Sequence, residues 1–142
     1  MTSATIRKAD PADAAFLAEL VSQLGYPAAE DEVRGRMEQL DRDGQSLLVA
    51  ELDGGLVGIA VMQVTPVLIN DTPTCRLAVL VVAKPARRRG IGRALTSAVE
   101  EEARRLGCDR IVLESGVWRD EAHGFYRALD YESIALGFQK RL

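Results

Sequence analysis

The stretch that decides the fold is ARRRGIGRAL, residues 86–95, which has four arginines and two glycines within ten positions. The segment before it, Cys75–Ala83, is almost continuously apolar, as expected for a strand buried on both faces. After it, a stripe of apolar residues recurs at helical spacing, and Gly107 closes the predicted helix; the stripe is Ile91, Leu95, Val99 and Leu106. The pattern predicts a strand, a glycine-containing loop and a helix N-terminus, so unpaired backbone N–H groups and the positive end of the helix dipole would face the loop.

This loop has the features of an anion-binding site. Gly90 and Gly92 have no side chains to block a close approach, and the arginines add positive charge and forked donors. Each charge-assisted hydrogen bond contributes about 1.5–3 kcal/mol, so several together would hold a diphosphate. A Rossmann fingerprint would need glycine or alanine where Leu95 stands, and the Gly-Lys-Ser/Thr of a Walker loop is absent. A solvated basic helix start that binds nothing is the alternative.

Composition excludes several classes of protein. The chain has 142 residues, 47% of them hydrophobic and 27% charged, which is typical of one globular domain spanning residues 1–142. Its net charge of −3 is unlike that of a dedicated nucleic-acid binder, which usually carries a basic domain. The arginines are therefore a local basic feature of an acidic protein, which favours a small anionic ligand and no nucleic-acid partner.

Cysteine usage and hydropathy predict where the protein works. Cys75 and Cys108 are too far apart for a CxxC motif, and two cysteines do not make a disulfide scaffold in a chain of this size. The N-terminal MTSATIRKAD lacks the hydrophobic region of a signal peptide, and the longest apolar run, Leu77–Ala83, is too short to span a membrane. We therefore expect a cytoplasmic protein with no membrane partner. The single histidine, His123, has no ligand partners, so no metal site is expected.

The rest of the chain adds strands and helices around this motif. Asp10 and Pro11 predict the start of a helix that ends at Gly25, and Asp120 is expected to cap a later helix. Apolar stretches on either side of Asp53-Gly54-Gly55 predict a β-hairpin. The other expected elements are a helix around Val33–Leu40 and strands at Thr5–Lys8, Arg110–Glu114 and Tyr131–Arg141. The order β-α-α-β-β-β-α-β-α-β(β) predicts an α/β domain with a mixed central sheet.

Two motifs in this order resemble those of the GNAT superfamily of N-acetyltransferases. Arg87-Arg88-Arg89-Gly90-Ile91-Gly92, directly after an apolar strand, is similar to the family's (Gln/Arg)-x-x-Gly-x-Gly/Ala signature. Ala122-His123-Gly124-Phe125-Tyr126-Arg127-Ala128-Leu129 resembles a later helix of the family, in which a tyrosine lies near the coenzyme sulfur. The order of elements also matches, so the resemblance covers essentially the whole chain and implies a GNAT-like fold and a single N-acetyltransferase domain.

The resemblance implies a site for acetyl-coenzyme A, used as a co-substrate. Leu80, Val81 and Val82, at the end of the strand before the loop, would pair their backbone with the pantetheine arm, and a bulge there would separate this strand from the next. Tyr126 would assist the departing sulfur, and His123 would contact the pantetheine or help to move protons. The loop residues that would hold the pyrophosphate, through backbone amides and positive charge, are Arg87, Arg88, Arg89, Gly90, Ile91, Gly92 and Arg93.

Two features depart from the family pattern. The helix that carries Tyr126 normally closes with glycine where Asp130 stands, and aspartate tolerates the left-handed conformation less well, so a different helix end is expected. Some relatives carry a glutamate on the strand before the loop, but Cys75–Leu80 offers no carboxylate. Glu114 on the next strand is the first candidate for the catalytic base, Asp71 is the second, and a water chain without a dedicated base is the third.

The resemblance implies an enzyme that moves an acetyl group from acetyl-coenzyme A to a primary amine of a small molecule or peptide by direct attack. Tyr26, Glu30, Asp31 and Glu32 lie where the family usually builds its acceptor wall and would favour a cationic amine, although charges at a helix start are usually only solvated. A homodimer is common in the family. The alternatives are a non-catalytic acyl-coenzyme A sensor on the same fold and an RNA- or protein-binding module that uses the arginines.

Overall fold

A computed structural model of the chain describes residues 3–142, which form two compact units, one ending at Val112 and one running from Leu113 to Leu142. The first unit contains a sheet and three helices, and the second contains one helix. The strands are β1 (Thr5–Lys8), β2 (Gln45–Leu52), β3 (Gly55–Thr65), β4 (Thr74–Val82) and β5 (Ile111–Val112). The helices are α1 (Ala14–Gln23), α2 (Glu30–Arg42), α3 (Ile91–Arg105) and α4 (Asp120–Ala128).

The five strands form one mixed sheet whose spatial order, β1-β2-β3-β4-β5, follows the order of the chain. The first four strands are antiparallel to their neighbours, while β5 runs parallel to β4. The β2–β3 hairpin turns at Asp53 and Gly54, whose φ angles of 52° and 81° are those that a type I′ turn requires. The α/β fold with a mixed sheet is therefore confirmed, and the predicted order of elements holds as far as α4.

The apolar faces of the helices build the core of the first unit. The predicted stripe on α3 is confirmed for Ile91, Leu95 and Val99, which are at most 3% exposed. Leu106 is 40% exposed, because the helix has already ended at Arg105. A second cluster lies between α1, α2 and the sheet, and its buried members are Ala14, Leu17, Ala18, Leu20, Val33, Val49 and Ile59.

The cap that the sequence predicts at Asp10 is present, but it belongs to the short 3₁₀ turn at Pro11–Asp13 that leads into α1. The Asp10 side chain accepts a hydrogen bond from the Ala12 N–H at 2.7 Å, and the Asp13 side chain accepts one from the Asp10 N–H at 2.8 Å. Arg7 of β1 donates to both carboxylate oxygens of Asp13, at 2.8 and 2.9 Å. The short 3₁₀ turn at Pro11–Asp13 is thereby tied to the edge of the sheet.

Two element boundaries differ from the sequence prediction. The strand expected at Arg110–Glu114 is limited to Ile111–Val112, because β5 finds only two residues of β4 as pairing partners. Asp120 is the first residue of α4 rather than its cap, since Arg119 occupies the cap position and no side chain caps this helix. As a first-turn acid, Asp120 still complements the helix dipole.

The C-terminal residues also differ from the prediction of strands at Tyr131–Arg141. In the described chain, residues 131–142 form no helix or strand. A strand persists only where its backbone groups pair with a neighbour, and the five-stranded sheet lies wholly within residues 5–112. The exposed apolar side chains of this segment are Ile134 (79%), Leu136 (78%), Phe138 (93%) and Leu142 (115%).

Candidate functional site

The C-terminal half of β4 is open along one edge. A β-bulge lies at Ala78, the residue passed over in the pairing with β3. On its other side, β4 pairs with β5 only at Cys75 and Arg76. Leu77–Val82 therefore has no strand on that side in the part of the chain that the structure describes. The expectation of a strand buried on both faces is wrong for this half, because Ala78 and Val79 are exposed.

The pairing with β3 also decides which backbone groups point to the open edge. The Ala83 N–H donates to the Val57 carbonyl of β3 at 2.8 Å. Along an antiparallel strand, successive residues direct their N–H and C=O groups to opposite sides. Val81 therefore bonds toward β3, whereas the backbone groups of Leu80 and Val82 point to the open edge. Two of the three residues expected to pair with a pantetheine arm thus present their groups on the side where it could bind.

The loop after β4 turns the chain sharply into α3. It begins with a 3₁₀ turn at Lys84–Ala86, and Arg87 Nε then donates a hydrogen bond to the Val82 carbonyl at 3.1 Å. Arg88 has a φ of 65°, a left-handed conformation that costs a side-chain-bearing residue about 1–2 kcal/mol. Gly90, with a φ of 79°, is the cap residue of α3. These two positive φ angles bring the start of α3 close to the end of β4.

The start of α3 directs backbone donors toward the loop. The Ala94 N–H is the first to bond within the helix, to the Gly90 carbonyl at 3.0 Å. The N–H groups of Ile91, Gly92 and Arg93 therefore have no acceptor inside the helix, and no side chain caps this end. Together with the helix dipole, these donors would stabilise an anion bound at the loop.

One residue that sequence analysis missed holds α3 against the sheet. A Cβ on Gly58 of β3 would lie 3.0 Å from Leu95 Cδ1, 3.3 Å from Ile91 Cγ2 and 3.2 Å from the Val81 carbonyl oxygen. The missing side chain lets the first turn of α3 approach both β3 and the end of β4. A glycine inside an apolar strand pattern signals such a close approach, so the position could have been identified from the sequence.

The exposed arginines complete a basic surface around these donors. The side chains of Arg88, Arg89 and Arg93 are exposed, so they add positive charge without the free-energy cost of burial. Their guanidinium groups suit the paired oxygens of a phosphate. The loop fits a diphosphate, and the alternating donors and acceptors at the open edge of β4 fit the amides of an extended chain such as pantetheine.

Tyr126 lies on α4 in the second unit and is half-buried. Its ring stacks on that of Phe125 with centroids 5.2 Å apart, and it meets Tyr131 edge to face at 5.8 Å. Burial raises the pKa of the Tyr126 hydroxyl above its ordinary value, and the positive charge of Arg119 acts in the opposite direction. The hydroxyl is therefore protonated at neutral pH and can donate a hydrogen bond or a proton.

His123 and Glu114 also belong to the second unit. His123 Nε2 lies 2.8 Å from the Gly116 carbonyl oxygen. Because a carbonyl oxygen only accepts, this nitrogen carries a proton and donates it, and the bond ties α4 to the loop before it. Glu114 is exposed and lies beyond the end of β5, so it is not on a strand as predicted.

The end of α4 keeps the left-handed conformation although it lacks the family's glycine. Asp130 has a φ of 69°. Its N–H donates to the Arg127 carbonyl at 3.0 Å, and the Tyr131 N–H donates to the Tyr126 carbonyl at 3.0 Å, as in a Schellman motif. The different helix end expected from aspartate is not observed.

The acids expected at an acceptor wall are paired with arginines of their own helix. Each pair lies one turn apart along α2, so part of the negative charge is neutralised there. Tyr26, before this helix, is 73% exposed, and Asp71 is exposed in the loop after β3. The pairs are Glu30–Arg34 at 2.8 Å, Asp31–Arg34 at 3.4 Å and Glu32–Arg36 at 3.7 Å.

The first unit thus brings together the residues expected to hold the coenzyme, from Leu80 to Arg93, on the end of β4, the loop and the start of α3. Tyr126, Glu114 and His123 lie in the second unit and are described there on their own. Within residues 3–142, no group of three or more His, Cys, Asp or Glu side chains could hold a metal ion. No helix in the same range is both long and apolar enough to cross a membrane.

Comparison with known proteins identifies relatives of this chain. The model of the acetyltransferase (GNAT) family matches residues 14–131. The aminoglycoside N(6')-acetyltransferase type 1 of Stenotrophomonas maltophilia is 35% identical over 133 residues, which cover 90% of this chain and 86% of that protein. The aminoalkylphosphonate N-acetyltransferase of Salmonella typhimurium is 29% identical and covers 98% and 88%. A solved acetyltransferase structure from Trypanosoma brucei shares the fold, with a TM-score of 0.86, 22% identity and coverage of 98% and 99%.

Proposed function

Since this chain belongs to the acetyltransferase (GNAT) family, we propose that it transfers the acetyl group of acetyl-coenzyme A to a primary amine of a small molecule or peptide by direct attack. The observation that carries the proposal is the open edge of β4, which leads directly to the donors at the start of α3. In the reaction, a C–N bond forms between the amine and the acetyl carbonyl carbon, the C–S bond breaks, and the departing sulfur gains a proton.

The residues of the first unit would bind and orient the coenzyme. The N–H groups of Ile91–Arg93 and the charges of Arg87–Arg89 would bind the pyrophosphate, which Gly90 allows to approach closely. The backbone groups of Leu80 and Val82 would pair with the pantetheine amides, and donors near Val82 would polarise the thioester carbonyl. Val81, bonded toward β3, would keep this strand in place.

We assign to Tyr126 the role of assisting the departing sulfur. Its helix is similar to the family's later helix, and its raised pKa keeps the hydroxyl protonated. At the ordinary values of about 8.5 for a thiol and about 10 for a tyrosine, proton transfer is uphill by about 2 kcal/mol, and burial of Tyr126 makes it more so, so the proton helps without being indispensable. Tyr126→Phe should therefore bind acetyl-coenzyme A normally and lose turnover by up to about 10²-fold. Normal turnover in a folded variant would remove the hydroxyl from the mechanism.

The amine must lose a proton before it attacks. An alkyl ammonium with a pKa near 10.4 is neutral in only about one molecule in 2,500 at pH 7, which corresponds to about 4–5 kcal/mol. Glu114 is the first candidate for the base, followed by Asp71 and by water alone. If Glu114 is the base, Glu114→Gln should lower turnover near neutral pH, and the loss should shrink as pH rises because more amine is already neutral. A loss independent of pH would show that Glu114 is not the base.

We also propose that His123 acts on the coenzyme. Its Nε2 is engaged with the Gly116 carbonyl, so Nδ1 is the nitrogen that would contact the pantetheine or help to move protons. His123→Gln should raise the KM for acetyl-coenzyme A if this contact exists. An unchanged KM in a folded variant would limit His123 to holding the loop.

The acceptor is proposed to be a cationic amine. The relatives are named for acting on aminoglycosides and aminoalkylphosphonates, which are both small molecules that carry amines. The paired acids on α2 leave only a modest negative charge near Tyr26, so we rest the acceptor on the relatives and not on these acids. We infer that residues 1–142 form one N-acetyltransferase domain, since the family match runs from residue 14 to residue 131. We also place the protein in the cytoplasm, where its two free cysteines would stay reduced.

A non-catalytic acyl-coenzyme A sensor is the second candidate. The observation that favours it is the lack of a carboxylate on β4, together with the exposure of Glu114 away from any strand. The two candidates share coenzyme binding and differ only in turnover.

Calorimetry with acetyl-coenzyme A and a free-thiol assay over a panel of amines test both candidates. We expect binding and turnover for the natural chain, with aminoglycosides and aminoalkylphosphonates in the panel. Gly92→Glu should abolish binding, because its carboxylate would obstruct and repel the pyrophosphate. Gly35→Glu is the matched control, since it adds the same charge at an exposed position of α2 where a side chain meets nothing within 4 Å. Binding without turnover for any amine would indicate the sensor, and undiminished binding by Gly92→Glu would overturn the site.

A further inference from the structure

The only tryptophan of the chain, Trp118, lies on the turn that leads into α4. Its side chain belongs to a residue that is 80% exposed. Tryptophan is highly buried on average in folded proteins, because its ring has a large apolar area to remove from water. No step of the reaction proposed above uses this ring, so its exposure has no explanation in the catalytic roles already assigned.

The indole of Trp118 is stacked on the backbone of its own turn. A Cβ on Gly116 would lie 2.7 Å from Trp118 Cζ2 and 2.8 Å from both Cε2 and Cη2. An approach in the plane of the ring would leave the two flanking atoms clearly farther away than the middle one. The near equality of the distances therefore places Gly116 over the face of the six-membered ring. One face of the indole is covered by this glycine, and the opposite face is open to solvent.

The turn that carries Trp118 is held by hydrogen bonds on both sides of it. The Gly116 carbonyl accepts one bond from the Arg119 N–H at 3.0 Å and another from His123 Nε2 at 2.8 Å. The His123 N–H donates to the Arg119 carbonyl at 3.0 Å and so begins the bonding of α4. Because the turn and the ring stacked on it are already ordered, a ligand that binds to the open face loses little free energy in ordering them.

The charge around the open ring face favours a cation. The face of an indole is negative, and tryptophan is the aromatic side chain that attracts cations most strongly. By contrast, the loop before α3, residues 86–93, contains four arginines and no acid, which suits an anionic coenzyme. Residues 114–121 have a net charge of −2, from three acids against one arginine: Glu114, Asp120 and Glu121 against Arg119.

We propose that the open face of Trp118 binds the amine that accepts the acetyl group, and that it selects amines carried on a ring. This site rests on the proposed function, because its ligand is the acceptor of that reaction. A ring that bears an ammonium group can lie flat on the indole while its cation is attracted to the negative face. A linear amine has the same cation, but ordering its flexible chain costs conformational entropy that a ring has already lost.

The position of the turn agrees with this role. Trp118 belongs to the same unit as Tyr126, the residue assigned to the departing sulfur. Burial raises the pKa of Tyr126, and the positive charge of Arg119, the residue after Trp118, opposes that effect. The turn therefore lies near enough to the Tyr126 hydroxyl for its charge to act there, which is where an acceptor of the acetyl group is needed.

Tryptophan emission measures this binding directly, because Trp118 is its only source in the chain. Cyclohexylamine should shift the emission of the natural chain to shorter wavelength, since the open ring face loses contact with water. Hexylamine has the same carbons without the ring, and cyclohexanol has the ring without the charge. Each should need a concentration at least about tenfold higher for the same shift. An equal response to all three compounds, or a response to coenzyme A alone, would overturn the proposal.

Turnover distinguishes selection of the acceptor from a structural role of Trp118. In the natural chain, kcat/KM should be about tenfold higher for cyclohexylamine than for hexylamine. Trp118→Ala should remove this preference by raising the KM for cyclohexylamine, while the KM for acetyl-coenzyme A stays unchanged. Trp118→Phe should restore part of the preference, because it keeps an aromatic face. A preference that survives Trp118→Ala would overturn the proposal.

Val117→Ala is the matched control for these variants. Val117 is the neighbouring residue and is also 80% exposed, so its truncation removes apolar surface from the same turn without touching the indole. The preference for cyclohexylamine should remain within about twofold of that of the natural chain. If no amine is turned over while cyclohexylamine still shifts the emission, the proposed enzyme is contradicted and the binding site on Trp118 is supported.

Discussion

The two halves of β4 differ in their surroundings although the sequence presents them as one apolar strand. In Thr74–Leu77, the strand pairs with β3 and is joined to β5 at Cys75 and Arg76, and its residues Cys75 and Leu77 are only 0% and 4% exposed. In Ala78–Val82, it pairs with β3 alone and Val79 is 37% exposed. Hydrophobicity therefore does not separate a strand segment that builds the core from one that leaves an edge open. Pairing with β5, which ends at Arg76, marks where the change begins.

The largest difference between the halves is expected in thiol reactivity. Burial raises the pKa of the Cys75 thiol to about 11, so very little thiolate is present at pH 8. Val79→Cys would introduce a thiol with a pKa near 8.5 in the open half, and it should react with a disulfide reagent at least about 10²-fold faster than Cys75. Mass spectrometry over time, in a Cys108→Ser background, measures both rates. Similar rates would contradict the contrast between the halves.

The two halves of β4 should also differ in how much stability the protein loses when a side chain is truncated. Leu77→Ala removes a nearly fully buried side chain and should lower the free energy of unfolding by about 2–5 kcal/mol. Val79→Ala, in the open half, should lower it by less than about 1 kcal/mol. Urea denaturation of the two variants gives both values. The contrast fails if the two substitutions have the same effect.

Proline substitution tests the direction of the backbone groups. Leu80→Pro removes an N–H that points to the open edge, so we expect a folded protein that binds acetyl-coenzyme A about tenfold more weakly, through loss of one hydrogen bond. Val81→Pro removes an N–H that bonds toward β3 and should unfold the protein or nearly do so. Circular dichroism and calorimetry distinguish the two results. A folded Val81→Pro, or an unfolded Leu80→Pro, would reverse the assignment of sides.

The smallest expected effect is a change in stability caused by the loop that follows the open half of β4. Arg88→Gly relieves the cost of a φ of 65° and should raise the free energy of unfolding by up to about 1 kcal/mol. Arg87, whose φ is −66°, offers the control, because Arg87→Gly should give no gain and should release the bond to the Val82 carbonyl. Chemical denaturation at one pH gives the free energy of unfolding of both variants. If Arg87→Gly raised the free energy of unfolding more than Arg88→Gly does, the left-handed conformation of Arg88 would carry no cost.

The sequence predicts the first unit well because its signals are local. The Asp10 cap, the hairpin at Asp53 and Gly54 and the helical stripe of α3 each follow from a few neighbouring residues. The loop from Arg87 to Arg93 is also predicted by neighbouring residues, because glycines between an apolar strand and a helix are typical of a loop that a ligand approaches closely.

The errors lie where pairing between distant segments decides the outcome. The length of β5, the open edge of β4 and the absence of strands at 131–142 all depend on which segments meet in the sheet, and hydrophobic period alone does not contain that information. Gly58 was missed because its importance comes from the packing of Leu95 and α3 against it, which a single strand pattern shows only as an isolated glycine.

The sequential order of the sheet has a consequence for folding kinetics. β2, β3 and β4 are consecutive in the chain and adjacent in the sheet, so their pairing closes only short loops. β5 follows β4 in the chain only after α3. Its pairing with β4 therefore closes a longer loop and has a higher entropic cost. We expect Val61→Ala in the hairpin to slow folding, and Val112→Ala in β5 mainly to speed unfolding. The loop between β4 and α3 would then be among the last parts of the chain to reach its final shape.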